Sequence, residues 1–465
     1  MRDATGLIRS KMEGEGLSET AIRAFLFQYA KLVAHESADI PEATIEPVDQ
    51  LPKIEDYEES GRVRTYLSQT AVVKLNGGLG TGMGLEKAKS LLRVRGELTF
   101  LDIIVRQFLY LRHHLGPDLG LFLMNSFSTS ADTRNALARY PELGDPASLE
   151  LLQNKVPKIG VDSFAPIEWP QNPQLEWCPP GHGDIYTALA GSGLLESLRA
   201  RDTLYLFVSN SDNLGATLDL RLLSYFVESG APFLMEVTRR TPVDRKGGHL
   251  ARRKPDGRLL LRESAQCPEP DLEAFQDISR HRYFNTNNLW VRLDVLESVL
   301  KAENGILPLP LIRNQKTVDP RNKQSPKVYQ LETAMGAAVE CFEDSTAVEV
   351  PRSRFAPVKT TSDLLTVRSD AYALDEAYRL ELVAERQGTP PVVELSGDYK
   401  LVDALDEMLA RAVPSLRSCE GFKVDGPVRF SPDTTFEGRV SVRNHEAERW
   451  KDLPAGHYAN QTLEL

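Results

Sequence analysis

Five glycines (Gly77, Gly78, Gly80, Gly82 and Gly84) and three lysines (Lys74, Lys87 and Lys89) crowd into AVVKLNGGLGTGMGLEKAKSLL, residues 71–92. A glycine-rich turn behind an apolar run frees backbone N–H groups and lets the chain approach a phosphate closely. Lys89, five residues beyond the last glycine, supplies a charge at the loop mouth. Two familiar phosphate motifs fail here. A P-loop needs Gly-Lys-Ser/Thr after its spacer, and no glycine in this stretch precedes a lysine. The dinucleotide fingerprint starts at Gly78 and Gly80 but has Met83 where its last glycine belongs. Asp102, an acid about twenty residues on, keeps a nicotinamide oxidoreductase reading open. A flexible turn with solvated lysines would have the same composition.

Other polar stretches carry complementary chemistry. QNKVPKI sets Gln153 beside Lys155 and Lys158, and an amide has the donor and acceptor that read the imide edge of uracil. In CPPGHGDIYTAL, prolines, glycines and His182 run into a helix start near Asp184, which suits a ligand wall; a turn histidine and an N-cap acid are the plainer alternative. VSNSDNLGA ends an apolar strand in Ser209, Asn210, Asp212 and Asn213. An aspartate there is where an α/β transferase would hold Mg2+ against phosphate oxygens; an Asn/Ser/Asp turn reads the same. YFNTNNLWVRL places Asn285, Asn287 and Asn288 just before another strand, and grouped amides suit sugar hydroxyls. QLETAMGAAV adds Glu332 at a predicted helix start, as a sugar ligand or a helix-dipole acid. VPRSRFAPVKTTSDLL gathers Arg352, Arg354 and Lys359 ahead of a capping sequence.

The elements that must hold these residues follow from the apolar pattern. Runs such as AVVKL, LGLFLMN, DTLYLFVSN and APFLMEV alternate with amphipathic stretches such as FLDIIVRQFLYLRHHL. That alternation predicts an α/β sheet, mostly parallel, with helices on both faces, and ligands then gather at the C-terminal strand ends. Residues 1–65 read as a helical segment with an acidic, proline-containing connector that pads the core, 66–385 as the catalytic domain, and 386–465 as a linker helix and a β module. In that module GFKVDGPVRFSPDTTFEGRVSVRN steps through short strands and turns, as in a few coils of a β-helix. A net charge of −11 argues against nucleic-acid or acidic-membrane partners and requires that any phosphate-binding cations be clustered locally. Four widely spaced cysteines give neither a zinc signature nor a disulfide framework, and no stretch reads as a signal peptide or membrane span; a cytoplasmic protein is expected.

Taken together, KLNGGLGTGMGLEKAKSLL, QNKVPKI, PPGHGDIY, VSNSDNLGATLDL, FNTNNLW, QLETAMGAA and VPRSRFAPVKTTSDLL closely resemble the eukaryotic-type UTP–glucose-1-phosphate uridylyltransferases, also called UDP-glucose pyrophosphorylases. The motifs are ordered and span roughly residues 71–369. The resemblance implies a glycosyltransferase-A-like (Rossmann-like) α/β domain with a mixed, mostly parallel sheet and a short C-terminal left-handed β-helix. It implies Mg2+-dependent, reversible transfer of UMP from UTP to glucose 1-phosphate. Carried over, Leu75, Asn76, Gly77 and Gly78 border the nucleotide with Gln153, Gly181 and His182. Lys89 binds the UTP phosphates, Lys359 the sugar phosphate and the α-phosphate, and Asp212 the Mg2+. Asn210, Gly248, Asn285, Asn287 and Glu332 meet the sugar. Alanine at 88 and serine at 211 depart from the family, which commonly has proline and an apolar residue there. A pyrophosphorylase of different sugar specificity and a non-catalytic nucleotide-sugar-binding relative stay open as alternatives. Monomer and homo-oligomer, the latter through the β module, are both compatible with the sequence.

Overall fold

The computed structural model describes residues 4–116, 119–446 and 449–465. Its centre is a ten-stranded mixed sheet. In chain order the strands are β1 (Ile45–Pro47), β2 (Thr70–Leu75), β3 (Gly120–Asn125), β4 (Glu150–Leu152), β5 (Tyr205–Asn210), β6 (Phe233–Arg239), β7 (His249–Arg253), β8 (Leu259–Arg262), β9 (Tyr283–Arg292) and β10 (Thr346–Glu349). The main path runs β1-β7-β9-β5-β2-β3-β4, with β6 pairing β9 and β10, and β8 pairing β7.

β2 shows why the run TAVVKL becomes a central strand: both of its faces are buried, so it needs no polar alternation. Ala71 and Val73 join one apolar cluster with helix α4 (Asp184–Gly191). Val72 joins the other, with α3 (Phe100–Leu115) and α5 (Leu220–Ser229). Helices therefore cover both faces, as the sequence pattern predicts. Asp102 is spent within α3: it closes a capping box with Thr99 and accepts from Tyr140 Oη at 2.6 Å and Arg139 Nη2 at 2.8 Å. It has no role at the glycine-rich loop.

The expectation of a mostly parallel sheet needs correction. β5, β2, β3 and β4 are parallel neighbours and β6 is parallel to β10, but β9 is antiparallel to β5, β6 and β7, and β1 and β8 are antiparallel to β7. The reversal has a consequence for function. It brings the N-terminal half of β9 beside the C-terminal end of β5, so both contribute to one edge. In the parallel half the register aligns Asn210 with Leu75, Leu75 with Met124, and Asn125 with Leu152. The loops that follow all leave from that edge.

The N-terminal segment does more than pad. α1 (Thr5–Gly14) and α2 (Glu19–Val33) bury Ile8, Met12, Ile22, Phe25, Tyr29 and Leu32 against Val156, Trp177 and Leu331. Those residues lie behind the loops carrying Gln153 and Gly181. The connector also supplies edge strand β1, where Pro47 is tolerated. At the other end, β11 (Val392–Leu395), β12 (Ser415–Asp425), β13 (Val428–Phe430), β14 (Thr434–Arg443), β15 (Lys451–Leu453), β16 (Gly456–Ala459) and β17 (Thr462–Glu464) pair only in parallel. Phe422, Phe430 and Phe436 pack inside this module in tilted and edge-to-face contacts. Its core is continuous with Met83, Leu92, Leu214, Val358 and Leu364, so it packs beneath the glycine-rich loop. Among the described residues no helix is long and apolar enough to cross a membrane.

Candidate active site

The loop after β2 is shaped by backbone freedom at few of its glycines. Gly80 and Gly84 adopt φ of +65° and +80°, which side chains resist. Gly80 also has Leu85 and Lys89 packed where a Cβ would stand. The turn closes when the Lys89 amide donates to the Gly78 carbonyl at 2.9 Å. Ala88 sits at φ −52° without a proline ring, so the φ that proline would impose is already met here. Asn76 does not face the cleft with its amide: Nδ2 donates to Asn125 Oδ1 at 2.8 Å and Thr133 Oγ1 at 2.9 Å. It pins the loop to its neighbours. Lys74 likewise turns inward, donating to Ser209 Oγ and the Ala216 carbonyl; burial, then the Arg354 charge, pushes its pKa down to about 7.

Lys89 and Asp212, 123 residues apart, meet at the strand edge, with Nζ to Oδ2 at 2.6 Å. Asp212 Oδ1 is buried and has no hydrogen-bond partner among the described residues, so the carboxylate keeps one anionic oxygen in reserve. Lys359 is drawn to the same place by backbone bonds. The Val358 amide donates to the Asp212 carbonyl at 3.1 Å, and Asn213 Oδ1 accepts from the Ala356 amide at 3.0 Å. Gly215 makes the approach feasible, since a side chain there would strike the Ser353 carbonyl. The basic run resolves into distinct roles. Arg352 forms a two-bond pair with Asp244 at 2.8 and 3.0 Å, and Arg354 a buried one with Glu236 at 2.7 and 2.8 Å. Lys359 is exposed, and its amine makes no hydrogen bond or ion pair among the described residues. Lys155 and Lys158 are also occupied, by Glu15 and by the Val318 carbonyl.

On the far side of the glycine-rich loop, Gly77, Gln153 and Gly181 form one wall. Gln153 Oε1 lies 3.0 Å from where a Gly77 Cβ would be, and Nε2 donates to the Gly181 carbonyl at 2.8 Å. Gly181 has φ +80°, and a side chain there would run into the Thr333 backbone. His182 Nδ1 accepts from the Met335 amide at 3.0 Å, which fixes a neutral ring with its proton on Nε2, and burial pushes its pKa down to about 4. Asp184, at the start of α4, accepts from the Asn154 amide at 2.8 Å and from Asn154 Nδ2, holding the Gln153 loop from behind.

Asn285 and Asn287 stand within β9, not in a loop ahead of it. The pairing with β6 slips at Glu236/Val237, opposite these residues, and Asn287 takes φ +59°. A bulge of this kind re-aims side chains in mid-strand. The pair is mutually bonded, Asn285 Nδ2 donating to Asn287 Oδ1 at 2.9 Å. Glu332 ends a strand, Lys327–Glu332, and precedes a short 3-10 helix; its Cβ borders Gly181, which sets it beside the glycine-lined wall. Gly248 lies against a carboxylate not anticipated from sequence, Glu263, whose Oε2 is 2.5 Å from the position of a Gly248 Cβ. Burial raises the Glu263 pKa and the nearby Lys359 charge opposes that rise. A Glu in a hairpin-end capping sequence offered no signal for this.

Asn210 and Leu75, paired across β5 and β2, complete the floor. The arrangement thus has a glycine-lined wall with one amide, a central carboxylate with two lysines nearby, and a polar end rich in amides and carboxylates. Among the described residues no cluster of three metal-ligating side chains is present, so any cation held at Asp212 takes ligands from elsewhere.

Comparison with known proteins fits this geometry. The sequence model of the UTP–glucose-1-phosphate uridylyltransferase family matches residues 22–437. A curated relative of that name from Saccharomyces cerevisiae is 39% identical over 409 residues, covering 88% of this chain and 80% of its own. A solved structure of a point variant of UDP-glucose pyrophosphorylase from Leishmania major, in complex with UDP-glucose, is 47% identical, covers 100% of both chains and has a TM-score of 0.95. A Trypanosoma brucei structure described as UDP-glucose phosphorylase is 47% identical over 99% of both chains, with a TM-score of 0.91. With a family match across most of its length and relatives alike from end to end, the chain belongs to the UTP–glucose-1-phosphate uridylyltransferase family.

Proposed function

We propose that the protein catalyses UTP + glucose 1-phosphate ⇌ UDP-glucose + pyrophosphate. The observation that carries this reading is the convergence of Lys89, Asp212 and Lys359 between the Gly77–Gln153–Gly181 wall and the amide-rich end. In this reading Gln153 commits Nε2 to Gly181 and leaves Oε1 to accept the uracil N3–H. Asn210, Gly248, Asn285, Asn287 and Glu332 face the sugar. The phosphate of glucose 1-phosphate is already a nucleophile, so no general base is required. Its oxygen attacks the α-phosphorus in line, and the bond to pyrophosphate breaks. The barrier is the repulsion of two anions and the charge that builds at phosphorus. Lys359 offsets it for the attacking phosphate and Lys89 for the triphosphate, by preorganised charge.

Mg2+ suits Asp212, because Oδ1 is a buried anionic oxygen with no hydrogen-bond partner among the described residues. When bound there it would supply charge neutralisation on the α-phosphate. Lys89 and Asp212 neutralise each other in the free chain, and the ligands would give each a new partner. The all-parallel strand stacking after residue 390 supports a β-helix, left-handed by the family resemblance, and the mixed sheet a glycosyltransferase-A-like core. The unpaired thiols of Cys178, Cys267, Cys341 and Cys419 suit a reducing compartment, the cytoplasm. The test is pyrophosphate release from UTP and Mg2+ with a panel of sugar 1-phosphates. Glucose 1-phosphate is expected to lead the panel; silence across it with retained UDP-glucose binding would instead identify a binding relative.

A further inference from the structure

We propose that the buried Glu236–Arg354 pair is a positioning device for the transfer, setting Lys359 and the Asp212 loop against the amide strand β9; this rests on the activity read above. Glu236 has no accessible surface and Arg354 is 6% exposed, so the pair acts through other residues. Each Glu236 oxygen accepts two bonds. Oε1 takes Arg354 Nη2 at 2.8 Å and Trp290 Nε1 at 2.9 Å; Oε2 takes Arg354 Nε at 2.7 Å and Asn288 Nδ2 at 3.1 Å. Asn288 is adjacent to Asn287, and the Glu236 carbonyl accepts from Thr286 Oγ1, so the same residue holds the β9 bulge from both sides. At the other end, the Arg354 carbonyl accepts from Asn213 Nδ2 at 3.0 Å, and Nη2 reaches the Thr217 carbonyl at 3.0 Å. Asn213 follows Asp212 directly, and Lys359 lies five residues beyond Arg354.

A buried ion pair is a weak source of stability, since desolvation offsets most of its attraction. A carboxylate saturated by four donors from two segments, and a guanidinium fork that fits only one way, instead specify geometry. The segments they join are the metal-side loop, the Lys359 loop and the sugar-side strand. None is part of the Gly77–Gln153–Gly181 wall. Loss of the fork should therefore disturb the reacting centre while sparing the nucleotide wall.

The test compares Arg354→Lys with Phe430→Leu, each measured per folded site alongside the wild type. Lysine keeps the charge but not the fork. For Arg354→Lys, kcat should fall about 10- to 100-fold, the loss expected of a small misplacement at the reacting atoms. UTP affinity measured by direct binding should stay within about twofold of the wild type. Phe430→Leu opens a small cavity among Phe422 and Phe436 in the C-terminal module and leaves the Glu236–Arg354 network intact, so it should lower thermal stability and leave kcat unchanged. If Arg354→Lys does not fold, Asn213→Ala separates the loops without stranding a charge and should show the same split. A folded Arg354→Lys or Asn213→Ala with wild-type kcat overturns the proposal, as does an equal kcat loss in Phe430→Leu. Absence of turnover in the wild type would defeat the activity itself, which keeps the two failures distinct.

Discussion

In the proposed reaction Lys359 is the residue on which the chemistry would depend most and the fold least. Its side chain is exposed and makes no hydrogen bond or ion pair among the described residues, while its backbone amide caps onto Asp363 at 2.9 Å. Lys359→Ala should therefore lower kcat by about 100- to 1,000-fold, the cost of one lost transition-state donor, with an unchanged thermal midpoint. Asp212→Asn removes the reserve charge at Oδ1 and the partner of Lys89. We expect Mn2+ bound to the enzyme–UTP complex, read by electron paramagnetic resonance, to weaken markedly in that variant; unchanged Mn2+ binding would remove Asp212 from the metal site. The types of these residues were legible in sequence because seven ordered motifs together resembled one family, whereas singly glycine, lysine and aspartate also make ordinary turns. Their partners were not. Arg352 and Arg354 read as one basic cluster with Lys359, but Asp244 and Glu236 claim them from 108 and 118 residues away. Asn76 read as a nucleotide contact and is held by Asn125 and Thr133, a distinction that only packing decides.

Strands and helices were the most legible elements where the apolar pattern was continuous. β2, β3, β5 and β6 were all visible as apolar runs, with the glycine loop and the Asp212 turn behind two of them. The asparagines of β9 were not, because an Asn-rich run reads as a turn and only pairing with β6 and β5 makes it a strand. For α4 the structure gives a pH dependence. Burial pushes the Asp184 pKa from 3.8 up to about 7, against the hydrogen bonds from Asn154. An acid whose folded pKa exceeds its unfolded value stabilises the fold only while protonated. That contribution is complete below about pH 4 and lost as pH rises to about 7. The urea-unfolding stability of the wild type, relative to Asp184→Asn, should fall across that window and level off above it. A difference independent of pH would mean that Asp184 titrates normally.

An acidic molecule with a net charge of −11 must concentrate its free cations to receive two phosphorylated substrates. The fold does so by running four parallel strands and one antiparallel strand to a single edge, with the N-terminal helices behind the amide wall and the C-terminal module beneath the glycine loop. The site holds lysines, amides and carboxylates in place of a nucleophile–base pair, so the account requires direct transfer between the two phosphates. The stereochemical course at the α-phosphorus tests that requirement most directly. With UTP made chiral by sulfur at the α-phosphate and glucose 1-phosphate as acceptor, the account predicts UDP-glucose of inverted configuration, from one in-line displacement. Retention would reveal a uridylylated protein side chain between two displacements and would contradict it.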